Sequence, residues 1–366
     1  MKVPFVDLAA LVRPSRDEYL AAFAKILDTG AFVGGAAVTD FEEAFARYTG
    51  AAHACAVKTG TDALLLALRA LGVGPGDEVI TAASSFFATA EAISHAGAKP
   101  VLADVDDETL LIDPADVARR ITAATACIVP VHLFGQVADM GRLAALGLPL
   151  LEDAAQAHGA ARGAWRAGSA ARIAAFSFYP TKNLGSFGEG GAITTSEPAL
   201  LEVVRSLRDH GQAGRHDHVA VGYNARLDAV QCACLSISLR RLEAGNEARR
   251  RHAARYREQL AGVPGLRLVA EAPGAVPVYH LMVVRVDAAR RDAVRDALAA
   301  AGVGTAIHYP TPIHLQKAYV HLGQGPGSCP VAERAAREMI SLPMFPDLTD
   351  AQIDHVAAAL RAALAA

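Results

Sequence analysis

The stretch Ser177-Phe178-Tyr179-Pro180-Thr181-Lys182-Asn183, followed by the glycine-rich run Gly185 to Gly191, decides how the rest of the chain is read. It continues an apolar strand, Ile173 to Phe176, and Pro180 breaks that strand because proline cannot donate to a sheet ladder. Lys182 therefore stands where the backbone has just left a sheet. Rigid structure places it, yet it is free to react, as a covalent amine catalyst requires. A second stretch, Leu150-Leu151-Glu152-Asp153-Ala154-Ala155-Gln156, sets an acidic pair at the carboxyl end of another apolar run. Taken alone, Lys182 reads as a solvated loop lysine and Asp153 as a helix cap.

The surrounding pattern joins the two. Short apolar runs (Ala54 to Val57, Glu78 to Ala83, Pro100 to Val105, Ala126 to His132, Pro149 to Leu151) alternate with helical stretches. That alternation predicts an α/β fold with a mostly parallel sheet covered by helices on both faces. Ligands of such sheets gather at the carboxyl ends of the strands. Thr61, Phe86, His132, Asp153, Ser177 and Lys182 all fall at such ends. Thr59-Gly60-Thr61-Asp62 is a small-residue turn opening a helix (Ala63 to Ala70), which presents free N–H groups and a positive dipole end to an anion. A lysine and an aspartate at neighbouring strand ends can hold the aldehyde and the ring nitrogen of a pyridoxal phosphate ring.

Further along, Asp40-Phe41-Glu42-Glu43 has the form of a capping box opening a helix through Tyr48. Arg226 to Gly262 reads as a long helical connector, broken near Gly245-Asn246, from a large domain (1–245) to a small one (246–366). The remainder predicts an α+β unit: strands at Leu266 to Val269, Tyr279 to Val286 and Thr305 to Tyr309, and two helices ending at Ala366. The loop from Pro310 to Pro330 is long enough to be functional.

Composition narrows the class. The 366 residues are 52% hydrophobic and 20% charged, with a net charge of −3, which argues against disorder and against a nucleic-acid binder with a basic surface. Arg249 to Arg251, Arg255 and Arg257 fall in a helical pattern and read as a solvated helix face. The five cysteines are scattered without metal-ligand spacing, so they read as reduced thiols of a cytoplasmic protein, and no metal is expected. The first residues lack a signal-peptide core, and no apolar run is long enough to span a membrane.

Seven pieces in order give a resemblance. They are Gly60-Thr61-Asp62-Ala63-Leu64, Gly74 to Ile80, Val131 to Gln136, Glu152 to Gly159, Phe176 to Asn183, Gly222 to Asp228, and His308-Tyr309-Pro310. Through them the chain resembles, nearly end to end, the DegT/DnrJ/EryC1/StrS sugar aminotransferases, which are fold-type I pyridoxal-phosphate enzymes. The resemblance implies that Lys182 is joined covalently to the cofactor aldehyde and that Asp153 pairs with its ring nitrogen. It implies that Phe86 stacks on the ring, that Gly60, Thr61 and Ser177 cradle the phosphate, and that Gln156 lies near the ring hydroxyl. Asn224 would reach the phosphate of a neighbouring subunit, making the active site a property of a homodimer. There are departures: Lys58-Thr59 replaces a small or asparagine residue, and Glu189 stands where aspartate is commoner. Lys58 and Phe187 can alter substrate fit. A branch of the family with histidine at position 182 dehydrates sugars; this chain keeps lysine.

The function so implied is transfer of an amino group from L-glutamate to the ketone of a nucleotide-linked keto-deoxysugar, with a dTDP-sugar expected. Arg215, His216, His308, Tyr309, His314 and Lys317 are the candidates for holding the sugar nucleotide. A transaminase acting on a cyclitol or an aromatic-amine precursor is the alternative. A pyridoxal-phosphate lyase is disfavoured by Lys182, and a scaffold without chemistry by the intact Lys182–Asp153 pair. A nicotinamide dehydrogenase is disfavoured by the absence of a Rossmann glycine fingerprint after the first strand.

Overall fold

The computed structural model describes residues 1–365; Ala366 lies outside the described residues. Seven strands form the central sheet: β1 (His53–Val57), β2 (Glu78–Ala82), β3 (Lys99–Ala103), β4 (Thr125–Val129), β5 (Leu151–Asp153), β6 (Ile173–Ser177) and β7 (Gly191–Thr195). Two ladders, β1-β7-β6-β5 and β3-β2-β4, meet between β4 and β5, where Ile128 and Val131 bridge to Leu150 and Asp153. Every strand pair is parallel except those made by β7, which runs antiparallel to both β1 and β6. The mostly parallel sheet is as expected. β7 is not anticipated in the sequence reading, which saw only the glycine run before it.

Side chains alternate across this sheet. Ala174 and Phe176 join one buried cluster with Phe41 and Phe45, whereas Ile173 and Ala175 join another with Leu64 to Leu68. Both faces are therefore covered, and the strands read as continuous apolar runs for that reason. The first cluster is aromatic: Phe45 stands edge-on to Phe176 at 4.9 Å and to Phe178 at 5.2 Å, bracing the lysine-bearing loop from below.

The helices that matter to the site are α1 (Arg16–Thr29), α2 (Ala36–Thr49), α3 (Gly60–Ala70), α4 (Ala88–His95), α5 (Ala229–Leu239), α6 (Leu242–Leu260), α7 (Arg291–Ala300), α8 (Pro330–Glu338) and α9 (Asp350–Ala365). Three expectations are corrected. Asp40 lies inside α2, whose N-cap is Gly35, so there is no capping box at Asp40. The connector breaks at Arg240–Arg241, and α6 runs unbroken through Gly245-Asn246. Residues 305–309 form no regular strand; Ala306 makes a single bridge to Ser341. The third strand of the small sheet is instead Met339–Leu342, giving an antiparallel order of β8 (Leu266–Leu268), β9 (Met282–Val286) and β10 (Met339–Leu342). A separate core lies between this sheet and helices α6, α7 and α9, and the N-terminal Val3 is buried in it.

Asp107, just past β3, ties the two sheets. It accepts hydrogen bonds from Arg285 on β9 (2.8 Å), Arg334 on α8 (2.8 Å) and Arg267 on β8 (3.0 Å). Burial would raise its pKa, but the bonds from Arg334, Arg285 and Arg267 outweigh this and hold it below the usual carboxylate range. Arg285 is 2% exposed, so losing Asp107 strands a buried cation with Glu338 alone. Asp107→Ala is expected to lose about 1–3 kcal/mol in urea unfolding at neutral pH. Because the folded pKa is depressed, this contribution is full above about pH 4, the ordinary aspartate value, and is lost as pH falls below it. Wild type and variant should therefore converge in acid; a constant gap down to pH 2 would contradict the clamp.

Candidate active site

The site is built where β5 and β6 end side by side. Their parallel register pairs Asp153 with Ala175, so Asp153 caps one strand two residues before Ser177 ends the other. Beyond Ser177 the chain turns back on itself. Phe178 N–H donates to Gly190 O (2.8 Å), Ser186 N–H to Phe178 O (2.8 Å), and Lys182 N–H to Tyr179 O (2.8 Å). The glycines here serve close packing: a Cβ on Gly185 would lie 2.5 Å from Pro180 O, and one on Gly191 would lie 2.4 Å from Thr59 O.

Lys182 and Asp153 feel one another electrostatically. Burial drives the Lys182 ammonium down to about 8, with Asp153 pulling it partly back. Burial likewise raises Asp153, against a hydrogen bond from Thr89 Oγ1 to Oδ2 (2.7 Å) and one from Ala155 N–H to Oδ1 (3.2 Å). Thr89, one turn after Phe86 on α4, is a site residue missed from the sequence. Its signal was the three-residue spacing from Phe86, which places both at the helix start.

Gly60 and Thr61 open α3 directly against Ser177. Thr59 caps α3, accepting from Asp62 N–H (2.9 Å) and donating to Asp62 Oδ2 (2.6 Å), so the unusual threonine is a helix cap. The N–H groups of Gly60 and Thr61 find no acceptor among the described residues. Ser177 Oγ accepts from Tyr179 N–H (3.3 Å), leaving its own proton to donate. A Cβ at Gly60 would come 2.6 Å from Ser177 Cβ, so only glycine lets the helix end approach the strand. Phe86, three residues before Thr89, stands 56% exposed with Tyr309 at 5.7 Å. Free backbone N–H groups at a helix start, an exposed aromatic face, a buried carboxylate and a half-buried amine fit a phosphorylated pyridine aldehyde.

Other expected residues are placed differently. Gln156 is buried, accepting from Phe134 N–H (2.7 Å) and donating to Tyr309 Oη (3.2 Å). His132 is wholly buried between Glu152 Oε2 (2.9 Å) and Ala138 N–H (3.2 Å); that amide makes Nδ1 the acceptor and puts the proton on Nε2. His308 hydrogen-bonds Ser341 Oγ (2.9 Å), and burial, then the Lys182 charge, push it down to about 4. His314 is corrected: it is buried against Glu333 Oε1 (3.0 Å), which also fastens Gly327 and Cys329, so it supports its loop from inside and offers nothing to a substrate. Lys317 is exposed, as are Arg215 and His216 at the tip of the hairpin formed by residues 212–218. No hydrogen bond or ion pair links these three to Lys182 or Asp153 among the described residues. Asn224 is also exposed.

The lysine is further ringed by neutral histidines. His158 lies against Phe176 and Phe178 with neither ring nitrogen hydrogen-bonded, and burial, then Lys182, lower it to about 3. His280 is held by Asn183 Oδ1 (3.2 Å), and Asn183 Nδ2 donates to Asn246 Oδ1 and Val278 O (2.9 Å each). The residue after the lysine is thus fixed by the connector helix and the segment entering the small sheet.

The profile of the DegT/DnrJ/EryC1/StrS aminotransferase family matches residues 14–361. The chain belongs to this family. It is 45% identical over 364 residues to the dTDP-3-amino-3,4,6-trideoxy-alpha-D-glucose transaminase of Streptomyces venezuelae, covering 98% of this chain and 96% of that one. Among solved structures it is similar to S. venezuelae DesV in complex with a ketimine intermediate, with a TM-score of 0.95, 45% identity and coverage of 99% and 98%. It is also similar to NtdA of Bacillus subtilis with bound cofactor PMP, with a TM-score of 0.93, 30% identity and coverage of 100% and 86%. The fold is therefore that of the fold-type I transferases, and the chain is an aminotransferase of the pyridoxal-phosphate-dependent kind.

Two outcomes follow from this geometry. Gly60→Ala should weaken cofactor binding by about 10- to 100-fold, the worth of a lost hydrogen bond to a charged group, while the fold survives; retention of the cofactor on dialysis reads this directly. Only the free-base amine attacks an aldehyde, so the rate at which cofactor-free protein takes up pyridoxal phosphate should rise with pH through about 8 and level above it. A midpoint near the ordinary lysine value would show that Lys182 is not desolvated.

Proposed function

We propose that this chain transfers the amino group of L-glutamate to the 3-keto group of a nucleotide-linked deoxysugar, with dTDP as the carried nucleotide. The observation carrying this reading is the electrostatically coupled Lys182–Asp153 pair, together with the free N–H groups of Gly60 and Thr61. The name of the S. venezuelae relative supports a dTDP-linked sugar and position 3. Gly60, Thr61 and Ser177 would hold the phosphate, Phe86 would pack on the ring, Gln156 would meet the ring hydroxyl, and Asp153, oriented by Thr89, would favour a protonated ring nitrogen. The bound cofactor supplies an electron sink for the carbon that gains or loses the amine. Lys182 Nζ, as free base, would take the proton from the donor α-carbon and serve as the proton carrier for the transfer. His158, His280 and His308 stay neutral around it and add no competing charge.

The large unit, 1–245, carries Lys182, Asp153, Gly60, Thr61, Phe86, Gln156 and Ser177, and 246–366 brings His280 and His308 to the lysine. The active form is a homodimer in the cytoplasm: five buried free thiols suit a reducing compartment. Exposed Val219 and Val221, beside Asn224 and the hairpin bearing Arg215 and His216, suit a subunit contact. Through that contact Asn224 reaches the phosphate of the partner, and Arg215 and His216 meet the sugar diphosphate. Tyr309, with His308 behind it, lines the sugar side, and Lys317 lies at the rim.

Lys182→Ala should lower 2-oxoglutarate release from L-glutamate by roughly 10³-fold or more; wild-type turnover in that variant would rule the reading out. A panel of dTDP- and UDP-keto-sugars beside keto-cyclitols tests the acceptor, and preference for a cyclitol would overturn it. For shared sites, Lys182→Ala and Asn224→Ala chains refolded together should recover roughly a quarter of wild-type activity, since only mixed dimers contain one intact site. No recovery would place Asn224 outside the partner's site.

A further inference from the structure

Helix α6 carries a guanidinium without an ion pair. Arg249 is 2% exposed, and all its hydrogen bonds leave from Nη1, to Met344 O (2.9 Å), Tyr279 O (3.1 Å) and His280 O (3.5 Å). Among the described residues Nε and Nη2 reach no protein acceptor, and no carboxylate lies within 4.0 Å. Arg285 shows the contrast: equally buried, it is met by Asp107 and Glu338. Taking an ion out of water costs several kcal/mol, so a buried arginine facing no anion calls for one from outside the chain. Burial pushes Arg249 down to about 10, with Asp347 the carboxylate that pulls it back.

Arg249 also lines a cavity of about 540 Å³ whose wall includes Lys182, Asn183, Arg241, Asn246 and Asp347. Its lining thus carries three basic groups and one carboxylate. The volume falls in the range of small-molecule sites. The charge pattern separates two sources of oxyanion. A nucleotide diphosphate gains nothing from Asp347, which repels it. An acidic amino acid carries a compensating ammonium, so Asp347 opposes it less than it opposes a diphosphate, while its carboxylates take the planar forks of arginine.

We propose that this cavity is the amino-donor subsite, in which Arg249 and Arg241 hold the carboxylates of an acidic amino acid next to Lys182. The assignment rests on the reading of Lys182 as the reacting amine, and it names the pocket from which the donor reaches it.

Calorimetric titration of the full chain with glutarate, and separately with dTDP, tests this without any turnover. Glutarate should bind wild type, and Arg249→Gln should weaken it at least about tenfold, roughly 1.4 kcal/mol, with dTDP binding unchanged. In the loaded enzyme the same variant should raise the KM for L-glutamate by a similar factor and leave the KM for the keto-sugar alone. Asp347→Asn should tighten glutarate binding severalfold, an effect that a purely structural arginine would not produce and that decides the matter if Arg249→Gln does not fold. Unchanged glutarate affinity in either variant, no glutarate binding by wild type, or loss of dTDP affinity in Arg249→Gln would overturn the assignment. Arg249-dependent glutarate binding in a chain that transfers no amine would refute the proposed activity and leave the subsite standing.

Discussion

The structure depends on one electrostatic arrangement: a buried carboxylate and a half-buried amine held at the carboxyl edge of one sheet. Each alone would be costly to bury. Burial raises Asp153 and lowers Lys182, and each partly restores the charge on the other. Neither has a full ion-pair partner within the chain, so each is left to meet a group from outside it. That is the condition in which a lysine is nucleophilic near neutral pH and a carboxylate seeks a cationic ring nitrogen.

The surrounding fold keeps the pair in place. The β5–β6 register sets the strand ends side by side, Thr89 fixes the carboxylate, and Phe45 braces the lysine loop through Phe176 and Phe178. Glu152, adjacent to Asp153 but facing the other way, accepts from the N–H groups of Gly168, Ala170 and Ala171 and from His132. Alternation along a strand thus gives neighbouring acids opposite tasks, one structural and one at the cleft. The small sheet is coupled to the same edge. Asn183, next to the lysine, is held by Asn246 and His280, and Asp107 gathers three arginines from beyond β3.

The edge itself was legible in the sequence because strand ends followed by small residues mark where a parallel sheet presents its ligands. Lys182, Asp153, Gly60, Thr61, Ser177 and Phe86 all converge there. β7 was not legible, because its Gly191 reads as a loop residue until Thr59 is seen lying against it. The 305–309 segment read as a strand from apolar and aromatic content alone, yet most of it finds no ladder partner. His314 and Arg249 share one reason for being hidden from the sequence: both are polar, yet Glu333 and three backbone carbonyls meet these groups inside the protein. Tertiary partners far apart in sequence leave no local trace.

Reductive trapping tests the central claim most directly. Borohydride added to the pyridoxal-phosphate-loaded protein fixes any imine as a secondary amine, and peptide mass analysis then locates it. The account predicts one label per chain, on Lys182, and a sharply reduced yield in Asp153→Ala. A label on any other lysine, or none in protein that has bound the cofactor, would contradict it.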